Sequence, residues 1–206
     1  MAMIDGKKIS AETREQTALD AQKLMAETGI RPGLAVVIVG DDPASHVYVK
    51  NKKKGCEQVG FYSEEYALPE QTSQEELMQL LDRLNADPKI HGILVQLPLP
   101  RHLDEKAVIE RILPSKDVDA FHAVNVGKIM IGNYDFLPCT PAGVMELIHS
   151  TGISVSGKEC VVIGRSNIVG KPMAMLLLHE NGTVTICHSK TQNLAEICRE
   201  ADILVA

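Results

Sequence analysis

The sequence lacks an excess of positive charge, which argues against a polyanion as the main partner. Its 206 residues carry a formal net charge of −6 at pH 7, with a pI near 5.6. Nucleic acids and anionic membranes attract surfaces rich in lysine and arginine. Local basic patches can still bind small phosphorylated or carboxylated molecules. We therefore expect small acidic ligands, and neither nucleic acid nor membrane, as partners.

Closely spaced cysteines and long apolar runs are also missing. The five cysteines include no Cys-x-x-Cys pair, and their odd number is typical of reduced thiols in a cytosolic protein. The amino terminus has no apolar core of the signal-peptide type, and no run approaches the length of a membrane span. These absences predict a cytoplasmic protein without a metal site.

Short apolar runs alternate with polar, helix-forming stretches through most of the chain. After a helical pattern from about Lys7 to Glu27, the run LAVVIVG is β-branched and continuously apolar, as in a strand buried on both faces of a parallel sheet. Further strands are predicted at Phe61 to Leu68 and around HGILVQL, with a capped helix from Ser73 to Asn85 between them. This alternation predicts parallel α/β sheets that bind ligands at the carboxyl ends of their strands.

A second unit follows the segment from Asn125 to Thr140, which interrupts the alternation and is interpreted as a connector. The unit has a buried strand at Cys160 to Ile163, a glycine turn into a helix, and the strands TVTICHS and DILVA. A dinucleotide-binding sheet usually has six strands, so three strands indicate a fold that is incomplete at its carboxyl end. We predict a two-domain α/β protein, with an N-terminal parallel-sheet domain over residues 1–139 and a partial Rossmann-like domain over residues 140–206.

The glycine turn of the second unit is a candidate phosphate site. Gly164, Ser166 and Gly170 form a Gly-x-Ser-x-x-x-Gly pattern, a weak match to the dinucleotide fingerprint. About 20 residues later, the letters HSK around Ser189 replace the acid that would bind the ribose hydroxyls of NAD. The planar guanidinium of Arg165 can donate hydrogen bonds to a phosphate. Together with the missing acid, it favours NADP over NAD. The alternative is an ordinary strand-to-helix turn.

A second constellation comprises Tyr48, Lys52, Gln96, Asp117 and Asp119. The tyrosine and the lysine are four residues apart on one helix, so they share a face. Gln96 ends the third strand and the acids lie in KDVDA, and such strand ends meet at one edge of a parallel sheet. A lysine in an apolar pocket loses proton affinity and can act as a general acid or base, and the glutamine can orient it without neutralising it. The alternatives are a structural lysine–aspartate ion pair, a glutamine that only ends a strand, and a core tyrosine.

Five segments together resemble a known family. In this order and spacing, SHVYVKNKKKGCEQVGF, GILVQLPLP, KDVDAFH, PCTPAG and GRSNIVGKP resemble the bifunctional methylenetetrahydrofolate dehydrogenase/methenyltetrahydrofolate cyclohydrolases, from about Ile4 to the last residue. The resemblance implies two α/β domains with a folate cleft between them, NADP in the second domain, and a homodimer. It also implies oxidation of 5,10-methylenetetrahydrofolate, followed by hydrolysis to 10-formyltetrahydrofolate. A dehydrogenase without the hydrolase activity and an inactive folate- or nucleotide-binding fragment stay open as alternatives.

The resemblance also implies roles for single residues. Lys52 is similar to the family's catalytic lysine, Tyr48 to the aromatic residue that stacks on the folate, and Gln96 to the glutamine that tunes the lysine. Pro98 matches a substrate-lining position and Asp119 the carboxylate that binds the pterin. The residues that match NADP contacts are Gly164, Arg165, Ser166 and Ser189. Ala120 stands where the family commonly has glycine, and a glycine- and proline-rich loop near the family's carboxyl terminus has no match, so we expect impaired dehydrogenase activity.

Overall fold

Two parallel three-stranded sheets form the framework of this computed structural model, which describes residues 3–206. The strands are β1 (Gly33–Val39), β2 (Tyr62–Leu68), β3 (Gly92–Val95), β4 (Glu159–Ile163), β5 (Thr183–Cys187) and β6 (Ile203–Val205). In the first sheet β1 lies between β2 and β3, and in the second β4 lies between β5 and β6. All four strand pairs are parallel, which confirms the predicted fold class.

Helices connect the strands. They are α1 (Gly6–Thr28), α2 (Pro43–Val59), α3 (Gln74–Ala86), α4 (Glu105–Arg111), α5 (Ala123–Ile131), α6 (Cys139–Ser150), α7 (Gly170–His179) and α8 (Leu194–Glu200). Within the described part of the chain, none of them is long and apolar enough to cross a bilayer. The chain forms two compact units, residues 10–118 and residues 119–206 together with residues 3–9. The domain boundary at residues 139 and 140 stays a prediction.

The central strand β1 is buried on both faces, as its uninterrupted apolar sequence predicts. Successive side chains of a strand point to opposite faces of the sheet. Val37 packs with α3 residues such as Leu77 and Leu81, all of them fully buried. On the other face, Ile38 packs with Val49 of α2. Burial on both faces fixes the register of the sheet, because a shift by one residue would exchange the two sets of side chains.

Local capping fixes where α2 begins, immediately after β1. Asp42 is its N-cap residue and accepts hydrogen bonds from the backbone N and the Oγ of Ser45, both at 2.8 Å. These bonds hold the pKa of the Asp42 carboxyl below its ordinary value. Pro43 occupies the first turn, where no backbone donor is needed, and Gly60 ends the helix at a φ of 80°. The start of α2 determines which of its side chains face the sheet.

The segment from Asn125 to Thr140, expected to be a connector, contains most of α5 and the start of α6. His122 caps α5, since its Nδ1 accepts a hydrogen bond from the backbone N of Val124 at 3.1 Å. Gly132 ends the helix with a φ of 75°. The connector interpretation was therefore wrong, because a histidine cap and a terminal glycine delimit a helix of only two to three turns.

In the second sheet, a close backbone approach joins β4 to α7. A Cβ on Gly170, the first residue of α7, would lie 2.3 Å from the carbonyl oxygen of Gly164. Only glycine fits there. This contact sets the start of α7 against the end of β4, while Met173 and Leu177 anchor the helix in the core against Val162.

Two glycine-to-alanine substitutions should change stability in opposite directions. Gly170→Ala should lower the free energy of unfolding by about 1–3 kcal/mol, because its methyl group meets backbone that cannot move aside. Gly143→Ala, at an exposed position of α6 with no atom within 4 Å of the added methyl, should raise it by about 0.5–1 kcal/mol. Urea unfolding measures both. An unchanged midpoint for Gly170→Ala would contradict the proposed close approach.

Candidate active site

Lys52 of α2 and Gln96, directly after β3, meet although 44 positions separate them in the sequence. The Nζ of Lys52 donates a hydrogen bond of 2.7 Å to Gln96 Oε1. The ring of Tyr48, one turn earlier on α2, has its centroid 6.0 Å from the same Nζ. Lys52 and Gln96 are half-buried, whereas Tyr48 is 60% exposed and is not a core residue. The structure thus brings together three residues for which the sequence predicts one site.

Hydrogen bonds fix the orientation of Gln96. Its backbone N donates a hydrogen bond of 2.8 Å to the carbonyl oxygen of Val37. This bond extends the pairing of β3 with β1 by one residue. Its Nε2 donates to the carbonyl oxygen of Leu97, also at 2.8 Å. Because the amide nitrogen has this acceptor, the amide oxygen faces the lysine. Gln96 is therefore a neutral acceptor attached to the central strand.

The KDVDA segment lies along the free edge of β3. The backbone N of Ile93 donates to the carbonyl oxygen of Lys116 at 2.7 Å, and Asp117 forms a single parallel bridge with Ile93. Asp117 is buried, with 2% of its surface exposed, and Asp119 is half-buried. The pairing places the segment on the same strand that leads to Gln96. The ligand-binding roles of Asp119 and of the exposed Pro98 stay predictions.

The other lysines of α2 face solvent. Lys50, Lys53 and Lys54 are exposed, in contrast to the half-buried Lys52. Val49, which the helical repeat places nearer the sheet, is only 2% exposed. Among residues 3–206, no group of three or more histidine, cysteine or acidic side chains is arranged to hold a metal ion. Lys52 is thus distinguished from its neighbours by its position on the helix.

In the second unit, the ends of β4 and β5 lie side by side. Ile163 and Cys187 are partners in the strand pairing, and the backbone N of Gly164 donates to the Cys187 carbonyl oxygen at 2.8 Å. Arg165 comes two residues after Ile163, and Ser189 comes two residues after Cys187; both are exposed. Because paired parallel strands end at the same level, a guanidinium and a hydroxyl group occupy neighbouring loops at one edge of the sheet.

Ser166 has a structural role in the turn. Its Oγ accepts hydrogen bonds from the backbone N atoms of Val169 and Gly170, at 3.1 Å and 3.3 Å. Its carbonyl oxygen accepts a bond from the backbone N of Lys171 at 3.0 Å. These bonds hold the turn in shape, while the hydroxyl proton is still available for donation. The cofactor contact predicted for Ser166 stays a prediction.

The turn has the features that a dinucleotide phosphate requires. Gly164 has a φ of 143°, a conformation that favours glycine, and Gly170 leaves no room for a side chain between strand and helix. The start of α7 directs the positive end of its helix dipole toward the loop, and the backbone N atoms of Gly170 and Lys171 are used to hold the turn through Ser166. Arg165 adds a full positive charge beside it. The residues present therefore fit a phosphate-containing cofactor.

A compact turn presents Ser189. The Oγ1 of Thr191 accepts a hydrogen bond from the backbone N of His188, and the backbone N of Thr191 donates to the His188 carbonyl oxygen, both at 2.8 Å. The backbone N of Lys190 donates to His188 Nδ1 at 3.1 Å. Ser189 and Lys190 are consequently held at the exposed tip. Sequence reasoning assigned no role to Thr191, although threonine hydroxyl groups commonly hydrogen-bond to nearby backbone in turns.

Comparison with known proteins identifies the family. The model for the tetrahydrofolate dehydrogenase/cyclohydrolase catalytic domain matches residues 4–119, and the model for the NAD(P)-binding domain of the same enzymes matches residues 138–206. The chain belongs to the tetrahydrofolate dehydrogenase/cyclohydrolase family. The Lys52 cluster and Asp119 lie within the first matched range, and the phosphate turn lies within the second.

Individual members of the family are similar over nearly the whole chain. The bifunctional protein FolD of Acetivibrio thermocellus is 64% identical over 203 residues, which are 98% of this chain and 71% of that protein. FolD of Moorella thermoacetica is 60% identical over 204 residues, 99% of this chain and 72% of that protein. At this level of identity, the assignment to the family is secure.

Solved structures of the family have the same fold. The bifunctional FolD of Campylobacter jejuni, at 48% identity, superimposes with a TM-score of 0.96 over 100% of this chain and 73% of its own. The Trypanosoma brucei enzyme, solved with NADP and an inhibitor, has 38% identity and a TM-score of 0.93, covering 99% of this chain and 70% of its own. The family fold is thus present along the whole described chain.

Proposed function

We propose that this chain carries the folate and NADP sites of a bifunctional enzyme of one-carbon metabolism. The enzyme oxidises 5,10-methylenetetrahydrofolate to 5,10-methenyltetrahydrofolate with NADP and hydrolyses that product to 10-formyltetrahydrofolate. The observation that carries the proposal is the 2.7 Å hydrogen bond between Lys52 and Gln96, with the Tyr48 ring beside it. The family assignment supports both activities.

Lys52 is the proposed acid–base group of the hydrolytic step. Water adds to the methenyl carbon and loses a proton, which leaves a neutral hydroxyl adduct. The bond from that carbon to N5 of the folate then breaks as N5 gains a proton and the hydroxyl group loses its remaining proton to become the formyl carbonyl. One proton is released overall. An amine next to the reacting carbon can accept the first proton and supply the second. Gln96 suits this role because a neutral acceptor orients the amine without locking a proton on it, as a carboxylate would.

The other residues of the cluster hold the substrate. Tyr48 presents an exposed aromatic face next to the ammonium group, a surface on which a flat heterocycle can stack. Asp119, which follows the segment attached to β3, is the proposed acceptor for the N–H donors of the pterin. Pro98, two residues after Gln96, is the proposed lining residue. Stacking and carboxylate contacts would fix the position of the reacting carbon, which is the protein's main contribution to a reaction that its cofactor carries out.

Gly164, Arg165, Ser166 and Ser189 are the proposed residues that hold NADP. NADP, when bound, accepts the hydride from the methylene carbon of the folate. The glycine turn and the start of α7 suit the diphosphate, and the neighbouring Arg165 and Ser189 suit the 2′-phosphate. An acid at the Ser189 position would bind ribose hydroxyls but repel that phosphate.

We also propose that the enzyme is a cytoplasmic homodimer whose ligands are tetrahydrofolate derivatives and NADP. The net charge of −6 supports the absence of nucleic-acid or membrane partners. Light scattering coupled to size-exclusion chromatography should give twice the mass of the chain. A single-chain mass at micromolar concentration would contradict the homodimer and leave the proposed chemistry unaffected.

Replacing Lys52 by methionine should abolish the hydrolytic step. Lys52→Met keeps the length of the side chain but removes its proton-transfer group, so hydrolysis of 5,10-methenyltetrahydrofolate should fall by about 10²-fold or more. The affinity for NADP, measured by calorimetry, should not change. Lys53→Met is the matched control, because Lys53 is the next residue on the same helix but is exposed. Undiminished hydrolysis in Lys52→Met would remove this lysine from the mechanism.

Replacing Arg165 by alanine should reduce the preference for NADP over NAD. A guanidinium that contacts only the 2′-phosphate contributes to NADP binding alone, so the dissociation constant for NADP should rise by about tenfold while that for NAD changes little. Titration calorimetry with both cofactors measures the ratio. Arg199→Ala, at an exposed position of α8, controls for the loss of one positive charge. Equal losses for both cofactors, or none, would refute the role of Arg165.

A further inference from the structure

Lys116, the first residue of KDVDA, ties this segment to the end of α3. Its Nζ donates hydrogen bonds to the carbonyl oxygens of Leu84, at 3.0 Å, and of Asp87, at 2.8 Å. The last carbonyl groups of a helix have no partner within the helix, and a cation there also interacts favourably with the helix dipole. Burial lowers the pKa of the Lys116 ammonium, so this contact is partly shielded from water.

The residues before Lys116 are fastened to the same helix. Asn85 of α3 donates from Nδ2 to the carbonyl oxygen of Arg111 at 2.8 Å and accepts from the backbone N of Leu113 at 3.0 Å. The Arg111 guanidinium also makes two hydrogen bonds of 2.6 Å to the carboxylate of Asp82. The chain therefore approaches the KDVDA segment along a fixed path.

The residue before Asp119 is fixed as well. Val118 crosses β3 at Gly92, where an added Cβ would lie 2.5 Å from Val118 Cγ1. Val118 packs against the buried cluster that includes Val36 of β1 and Val49 of α2. The segment is thus attached to α3 by an ammonium group, to β3 by a backbone hydrogen bond, and to the core by a valine. Asp119 is the next residue along the chain.

We propose that Lys116 is a positioning residue for the Asp119 carboxylate. It acts by tying the backbone before that carboxylate to the end of α3, and it makes no contact with the ligand itself. This inference rests on the proposed function, in which Asp119 binds the pterin. Loss of the two Lys116 hydrogen bonds should therefore weaken folate binding by no more than the contribution that Asp119 makes to folate binding.

A double-mutant cycle tests the proposal through binding, without an activity assay. The dissociation constant of 5-formyltetrahydrofolate, a stable reduced folate, is measured by calorimetry for wild type, Lys116→Met, Asp119→Asn and the double variant. Lys116→Met and Asp119→Asn should each weaken binding by about tenfold. The double variant should bind no more weakly than Asp119→Asn alone, because the lysine acts through the aspartate. If the double variant lost affinity by the product of the two single losses, the proposal would be overturned.

Three further variants separate positioning from general damage. Lys116→Arg can donate to both carbonyl groups and should restore folate binding. Lys116→Gln has a shorter donor, and its affinity for folate should lie between those of wild type and Lys116→Met. It replaces Lys116→Met if the methionine variant fails to fold. Lys89→Met removes a positive charge from an exposed position near the same helix end and should bind like wild type. A lowered melting temperature with unchanged binding in Lys116→Met would make the lysine merely structural. Absence of binding by wild type would instead contradict the proposed function.

Discussion

The hydrogen bond between the Lys52 ammonium and the Gln96 amide oxygen depends on the alignment of three separate elements. Gln96 is held by the pairing of β3 with β1, and Lys52 by the helix that Asp42 and Pro43 start directly after β1. A shift of one residue in the strand register, or of the helix start, would move the two groups apart. The burial of β1 on both faces therefore maintains the geometry of the candidate active site.

The partner of the lysine is neutral, and this determines the chemistry that the pair can perform. A carboxylate at 2.7 Å would hold the ammonium proton and reduce the lysine to one half of an ion pair. An amide oxygen directs the amine while leaving its proton free to move. The two acids predicted for the same site lie in the segment along β3, where Asp117 is buried and the half-buried Asp119 follows it. The lysine thus has a neutral hydrogen-bond partner, as the proposed proton transfer requires.

Both candidate sites rely on loops that hydrogen bonds make rigid. Ser166 satisfies two amides at the start of α7, and Thr191 closes the turn that presents Ser189. Lys116 fastens the KDVDA segment by donating hydrogen bonds to carbonyl groups at the end of α3. In each loop a residue within three positions of a proposed ligand contact holds the backbone. Such loops can approach a ligand without a large loss of conformational entropy on binding.

The sequence by itself determined the fold class, the strands and most helices, because apolar periodicity and caps are local signals. Its motifs also supplied the residues proposed for the two candidate sites. It misjudged α5, whose histidine cap and terminal glycine enclose too few residues for a clear periodic pattern. Only the tertiary structure decided that Lys52 bonds to Gln96, that Tyr48 is exposed, and that Lys116 bonds to the end of α3. The two hydrogen-bonded contacts join residues that are 44 and 29 positions apart. Their geometry, like the exposure of Tyr48, depends on strand register and helix packing. No local pattern carries that information.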